Sequence, residues 1–185
     1  KEDYSFKRIG STLDDAVGEA YDKIARVVGV GYPGGPIIDK MAKSGKPVYP
    51  LPHVHLSKNS YDFSFSGLKT QILYFIKKQD QKNPDFIKEN IDDICASVQS
   101  IIIKILMDKI KLAVEQTGIT QIAIGGGVSA NSGIRKALKE TETKYGWKTF
   151  IPKFEYTTDN AAMIGIVGYH KFRLGIFSDD EVVSK

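Results

Sequence analysis

Cysteine is nearly absent. Cys95 is the one thiol in 185 residues, so no intrachain disulfide can form, which fits a reducing compartment. Histidine is scarce too, with only His53, His55 and His170. No cysteine and histidine pattern of zinc-ligand spacing exists, and no zinc-protease helix motif. The pair His53-x-His55 lies in a proline-rich loop with no nearby cysteine or carboxylate, and it reads as loop surface rather than a metal pair. No serine, histidine and aspartate set of a hydrolase can be placed. There is no apolar run long enough to span a bilayer and no secretory signal pattern at the start. Repeats and low-complexity tracts are missing as well. These absences point to a cytoplasmic protein with no membrane partner.

What is present is ordinary in bulk, with 42% hydrophobic and 26% charged residues. The length supports a real core and one domain, or one and a half. A net charge of +4 and a pI near 9.0 allow a nucleic-acid partner without demanding one.

One stretch organises the rest. A β-branched run, Ile119 to Ile124, leads into Gly125, Gly126 and Gly127, and a helical pattern follows from about Ala130 to Tyr145. Ser129 is the expected N-cap of that helix. A strand, a glycine turn and a helix start make the architecture of a nucleotide site, with helix N–H groups and the positive dipole end facing the turn. A plain tight connection is the other reading, but one glycine would suffice for it.

Before this stretch, Tyr4 to Ile9 reads as a strand, and Ser11-Thr12-Leu13-Asp14-Asp15 as a helix start running to Gly29. Asp15, Glu19 and Asp22 form a carboxylate column on that helix, relieved by Glu19–Lys23 and Asp22–Arg26 pairs at i, i+4. A second glycine turn, Gly34-Gly35-Pro36, feeds a short helix from Ile37 to Ala42, with Pro36 at its first position and Asp39 in its first turn. Helices are expected from Leu68 to Lys78, and from Asn83-Pro84 to Gly118. Ile101-Ile102-Ile103 predicts burial on two sides. Lys148 to Ile151 reads as a strand. Thr157-Thr158-Asp159-Asn160 should cap a last helix, about Ala161 to Phe172, whose small residues Ala161, Ala162, Gly165 and Gly168 would let it approach the sheet. The core is expected around Ile101, Ile122 and Ile164.

Five stretches together resemble one family. They are Ser11-Thr-Leu-Asp-Asp-Ala-Val-Gly-Glu-Ala-Tyr-Asp-Lys23, Tyr32-Pro-Gly-Gly-Pro36, Phe63-Ser-Phe-Ser-Gly-Leu-Lys69, Gly125-Gly-Gly-Val-Ser-Ala-Asn131 and Thr158-Asp-Asn-Ala-Ala-Met163. They look like the tRNA N6-adenosine threonylcarbamoyltransferases, long known as O-sialoglycoprotein endopeptidases or glycoproteases. The resemblance implies an α/β fold, the C-terminal lobe of the actin, heat-shock-protein and sugar-kinase (ribonuclease H-like) superfamily, with inserted helices and an incomplete sheet. It implies transfer of the threonylcarbamoyl group of threonylcarbamoyl-adenylate to N6 of adenosine 37, in tRNAs reading codons that begin with A. By motif, Asp22, Gly35, Asp39 and Asn131 would bind the adenylate or ATP, and Asp159 would be a metal ligand. One divalent metal ion per intact enzyme is implied, iron or else zinc. Companion subunits of a tRNA-modification complex are implied as partners. No catalytic base is identified.

The family's His-x-x-x-His motif, its N-terminal phosphate loop and its Ser-Gly-Gly-His loop find no match here. The resemblance therefore implies residues 1–185 as the C-terminal lobe of a two-lobed enzyme, inactive alone. Tyr4 to Ile9 would then be an unpaired sheet edge, and the chain is expected to self-associate. The competing reading is a nucleotide- or dinucleotide-binding module without catalysis, since Gly125-x-Gly127-x-x-Ala130 fits the loose dinucleotide fingerprint.

Overall fold

The computed structural model describes residues 6–51 and 59–177. Six helices and two short strands follow in chain order: α1 (Val17–Val28), α2 (Gly34–Ala42), α3 (Ser66–Asp80), α4 (Phe86–Thr117), β1 (Gln121–Ala123), α5 (Ser132–Tyr145), β2 (Lys148–Phe150) and α6 (Ala161–Arg173). Among the described residues the sheet is this one parallel pair, with Ile122 opposite Thr149. β1, α5 and β2 make a βαβ unit, the arrangement that parallel pairing requires.

The 32-residue α4 is the central post. Its length shows two sides of burial, as the isoleucine run predicts. Ile94, Val98, Ile101, Ile102 and Ile105 pack with α1, α2 and α3 around Tyr21, Ile24, Ile38, Leu68 and Ile72. Ile103, Met107 and Ile110 pack on the other side with Ile122, Ile134, Leu138 and Trp147. Each fully buried side chain of this size contributes about 1.5–3 kcal/mol. Asn90 leaves helical geometry and turns its amide to the Phe86 carbonyl, so α4 bends in its second turn.

Helix starts depart from the sequence expectations. α1 begins at Val17, not near Ser11, and has no side-chain cap. Thr12 instead lies beside Phe63 in an isolated parallel bridge. Asp14 accepts hydrogen bonds from the Phe65 N–H at 2.7 Å and from Ser64 and Ser66 hydroxyls, so it caps α3 from a distant part of the chain. Partial burial pushes the Asp14 carboxyl up, but these hydrogen bonds outweigh it and hold it well below the usual range. α2 begins at Gly34, with Pro36 in its third position rather than its first. Asp22 does not pair with Arg26: its Oδ1 accepts the Gly34 N–H at 2.7 Å. The expected Glu19–Lys23 pair is present at 2.8 Å, and Lys23 also reaches Asp15. Phe6 to Ile9 form no strand, and Tyr4 lies outside the described residues.

β2 is tied to α5 through Glu142. Its carboxylate accepts from the Thr149 hydroxyl, from Lys139 at 2.9 Å and from the Thr149 N–H at 3.1 Å. The Thr149 hydroxyl leads in holding this carboxyl down at about 2, against an ordinary 4.5. A depressed folded value stabilises the fold fully above pH 4.5, and that stabilisation is lost as pH falls through about 2. The native chain is therefore expected to lose more stability between pH 5 and 3 than Glu142→Gln does. Urea titrations at the two pH values check this, and parallel losses would remove Glu142 from the acid limb.

The last helix corrects another expectation. α6 makes no close approach to the sheet. Ile164 is 77% exposed, and Val167, Tyr169 and Phe172 are exposed too. Beyond Gly165 and Gly168 there is open space where a Cβ would stand. Nearly every residue from Ala161 to Tyr169 is apolar, so the helix is apolar around its circumference and yet uncovered. Ile164→Lys is expected to shift the stability of the chain by no more than about 0.5 kcal/mol in urea titration, as for other surface sites. A loss of several times that would put Ile164 in a core.

Candidate functional site

The site is built where β1 gives way to the glycine turn. Gly126 has φ 79° and needs to be glycine. Gly125 and Gly127 do not have positive φ, yet nothing lies within 4 Å of where a Cβ would stand on any of the three. The chain's own packing gives no reason for them. None of their N–H groups donates a hydrogen bond among the described residues. Three successive N–H groups without a protein partner make this turn a candidate anion site. It lies beyond the C-terminal end of a parallel strand, where open α/β sheets bind ligands.

A 3-10 turn, Gly127–Ala130, precedes α5, and the cap falls two residues later than expected. Asn131, not Ser129, caps the helix, accepting the Ile134 N–H at 3.0 Å. The Asn131 side chain is nine-tenths buried, and its Nδ2 donates to Gln99 at 2.8 Å and reaches the Tyr21 hydroxyl at 3.5 Å. The start of α5 is not open to an anion as the dipole argument had it. The Ser132 N–H and hydroxyl both donate to Asp39, at 3.1 and 2.8 Å. Lys43 stands 3.8 Å from the other Asp39 oxygen. Burial, and then the Asp39 charge, push the Tyr21 hydroxyl far above its ordinary range, so it stays protonated.

Four residues named from the sequence thus converge. Asp22 holds the start of α2, Asp39 the start of α5, and Asn131 links α5 to α1 and α4. Gly35 sits beside Gly34 with nothing nearer its Cβ position than Tyr21 Cβ at 4.0 Å. Like Gly125 and Gly127, it leaves backbone bare.

Residues 1–166 match the family described as TsaD, tRNA N6-adenosine threonylcarbamoyltransferase. The chain belongs to this family. It is 56% identical over 185 residues to the tRNA N6-adenosine threonylcarbamoyltransferase of Christiangramia forsetii, covering 98% of this chain and 53% of that protein. The protein of the same name in Porphyromonas gingivalis is 50% identical over 183 residues (97% of this chain, 52% of that one). That of Thermotoga neapolitana is 44% identical over 177 residues (95% and 52%). The chain spans about half the length of the curated relatives it matches.

Membership displaces the dinucleotide reading. That reading also lacks its acidic residue, because β2 runs out into Ile151, Pro152 and Lys153. In this threonylcarbamoyltransferase relative, Asp159 is exposed and stands directly before Asn160, which caps α6 through the Met163 N–H at 3.2 Å. Among the described residues no three His, Cys, Asp or Glu side chains gather as metal ligands. A lone carboxylate does not fit a dedicated metal site. His170 packs edge-on against Tyr169 on α6, and His53 and His55 lie outside the described residues. Among the described residues no helix is long and apolar enough to cross a membrane.

Two residues escaped the sequence reading. Arg135 donates to the carbonyls of Ser129 at 2.8 Å and Pro152 at 2.6 Å, and stacks 4.4 Å above Phe154. It clamps the turn after β1 to the turn after β2. Gln99 is a buried polar side chain facing Asn131. The signal was there for Gln99: an uncharged polar residue interrupting the apolar register of α4.

Proposed function

We propose that this chain is the second lobe of a two-lobed, actin-like threonylcarbamoyltransferase, and that it holds the adenylate of threonylcarbamoyl-adenylate, or ATP. The reading rests on one observation above all: three glycine N–H groups without a partner among the described residues, in a turn that the chain's own packing does not explain. These N–H groups would take the phosphate. Asp22 spends Oδ1 on the Gly34 N–H and keeps Oδ2 for a ribose hydroxyl, whereas Asp39 has Oδ1 on Ser132 and would share Oδ2 between Lys43 and a ribose hydroxyl. Bare backbone at Gly35 would let the nucleoside lie close. Asn131 has both ends of its amide engaged by protein groups, so it would serve the phosphate end by fixing the start of α5.

In the reaction, N6 of adenosine 37 in a tRNA reading codons that begin with A attacks the carbamoyl carbon. The new C–N bond forms, the bond to the adenylate phosphate oxygen breaks, AMP leaves and the N6 proton passes to solvent. The glycine N–H groups would stabilise charge gathering on the leaving phosphate. No step is assigned to a metal. Asp159 would supply one oxygen to a divalent ion, iron or zinc, whose other ligands belong to a first lobe.

The uncovered α6 supports the same division, because a helix apolar on every side needs a cover. The relatives' unmatched half would provide it, and without it the isolated chain would self-associate through α6. Companion subunits and tRNA would meet the assembled enzyme in the cytoplasm.

The test is an NMR titration of the chain with ATP, followed by a transfer assay with tRNA and threonylcarbamoyl-adenylate. Shifts confined to Gly125–Gly127, Gly35 and their neighbours are expected, with no transfer by the chain alone. Unmoved glycine resonances at saturating ATP would sink the nucleotide reading.

A further inference from the structure

Gln99 lies midway along α4 and is 8% exposed. It stands between the two cores, where α1, α4 and α5 meet through the polar groups of Tyr21, Gln99 and Asn131. Its Oε1 accepts from Asn131 Nδ2 at 2.8 Å. Its Nε2 and the Ile103 Cδ1 each lie 2.7 Å from where a Cβ would stand on Gly133, so a glycine as the second residue of α5 makes room for both.

We propose that Gln99 is the positioning residue of the nucleotide site, a role that rests on the nucleotide reading above. An asparagine amide has two orientations of nearly equal shape. Only one places Oδ1 on the Ile134 N–H, and the other sets two donors against each other. The Ile134 N–H selects the first orientation, and Gln99 Oε1, taking the Asn131 amide nitrogen, holds that orientation from the other end. Asn131 is also where the 3-10 turn ends and α5 begins. The junction where the glycine turn passes into α5 is therefore held from α4, through one buried side chain. No charged or titratable group is needed, and the device works at any pH at which the fold stands.

The experiment uses the 15N-labelled chain with ATP as probe, and two variants of similar size. Gln99→Met removes the acceptor, whereas Gln99→Glu keeps one. Gln99→Met is expected to raise the Kd for ATP about tenfold, in the range of other supporting-residue losses, and to speed hydrogen exchange at the Ile134 amide by about as much. Gln99→Glu restores both. Ile76→Val, in the α1–α4 core, serves as the control for general loosening and should hold the Kd within about twofold. If the methionine variant does not fold, Gln99→Asn withdraws the acceptor by one methylene and carries the same expectations. Native ATP affinity in the variant lacking the acceptor overturns the inference, as does a glutamate variant no better than methionine. A native chain that binds no ATP overturns the nucleotide reading instead, and the positioning role with it.

Discussion

Gly34→Val should unfold the chain, and Gly35→Val, one residue later, should leave it folded while removing most of its affinity for ATP. The two glycines are bare for opposite reasons. A Cβ on Gly34 would stand 2.6 Å from Ala25 Cβ, 2.7 Å from the Tyr21 carbonyl and 2.8 Å from Asp22 Cα. Two of those three atoms are backbone of α1, which cannot rotate aside. The α1–α2 crossing must open, breaking the Asp22 bond to the Gly34 N–H and lifting Ile38 from the core. Overpacking costs about 1–3 kcal/mol even where side chains can yield, so a branched side chain against backbone should cost more. That is a large share of the roughly 5–15 kcal/mol that holds a domain together. A Cβ on Gly35 meets nothing nearer than 4.0 Å. Valine there costs little in stability but fills the space assigned to the nucleoside. Urea midpoints and ATP titrations read the two effects separately. A folded Gly34→Val chain would contradict the packing argument. Unaltered affinity in a folded Gly35→Val chain would move the nucleoside elsewhere.

The contrast shows which features of this fold could be read from residues alone. Helix ends could. Gly29 and Gly118 stop α1 and α4 in the left-handed conformation, a local event decided by one residue. Helix starts could be read only where the cap is local, as Asn160 caps α6. Asp14 caps α3, Asp22 engages the first N–H of α2, and Asp39 holds the first N–H of α5. Each carboxylate comes from outside the helix it holds, 12 residues away for Asp22 and 51 and 93 away for Asp14 and Asp39. A local reading therefore gave Ser11 and Thr12 a helix they do not begin, and gave Asp22 an ion pair with Arg26 that it does not make. The same long-range capping explains why the start of α5 is closed to ligands although its pattern resembles an open dipole site.

The glycine turn was legible because Gly125 and Gly127 serve nothing local, and the structure keeps them unexplained by packing. The acidic residues around it were legible only through resemblance to a family. Nothing in their spacing separates a carboxylate aimed at ribose from one aimed at a helix start, and Asp22 and Asp39 stand where both uses are open. α6 was misread because small and apolar residues look alike whether the surface they face lies in this chain or outside it.

Asn131→Ala should destabilise the chain by about 1.5–5 kcal/mol, the sum of two separable losses. The first is the cap. Asn131 Oδ1 is the acceptor for the Ile134 N–H, and losing such a cap costs about 0.5–2 kcal/mol. The second is burial without a partner. Gln99 is as buried as Asn131 and would face an alanine methyl with its Oε1 unmatched, at about 1–3 kcal/mol. Asn131→Asp separates them. A carboxylate keeps the acceptor for Ile134 and suits a helix start, and the Gln99 amide can turn its donor toward it. Asn131→Asp should therefore cost clearly less than Asn131→Ala, although asparagine and alanine are both neutral. Asp39→Ala should also cost less than Asn131→Ala, because Ser132 lies nearer the surface and water can take over its N–H. Urea titrations of the three variants order the effects. If Asn131→Asp is the most damaging, the buried corner rejects charge more strongly than it needs an acceptor, and Asn131 serves there mainly as a donor to Gln99.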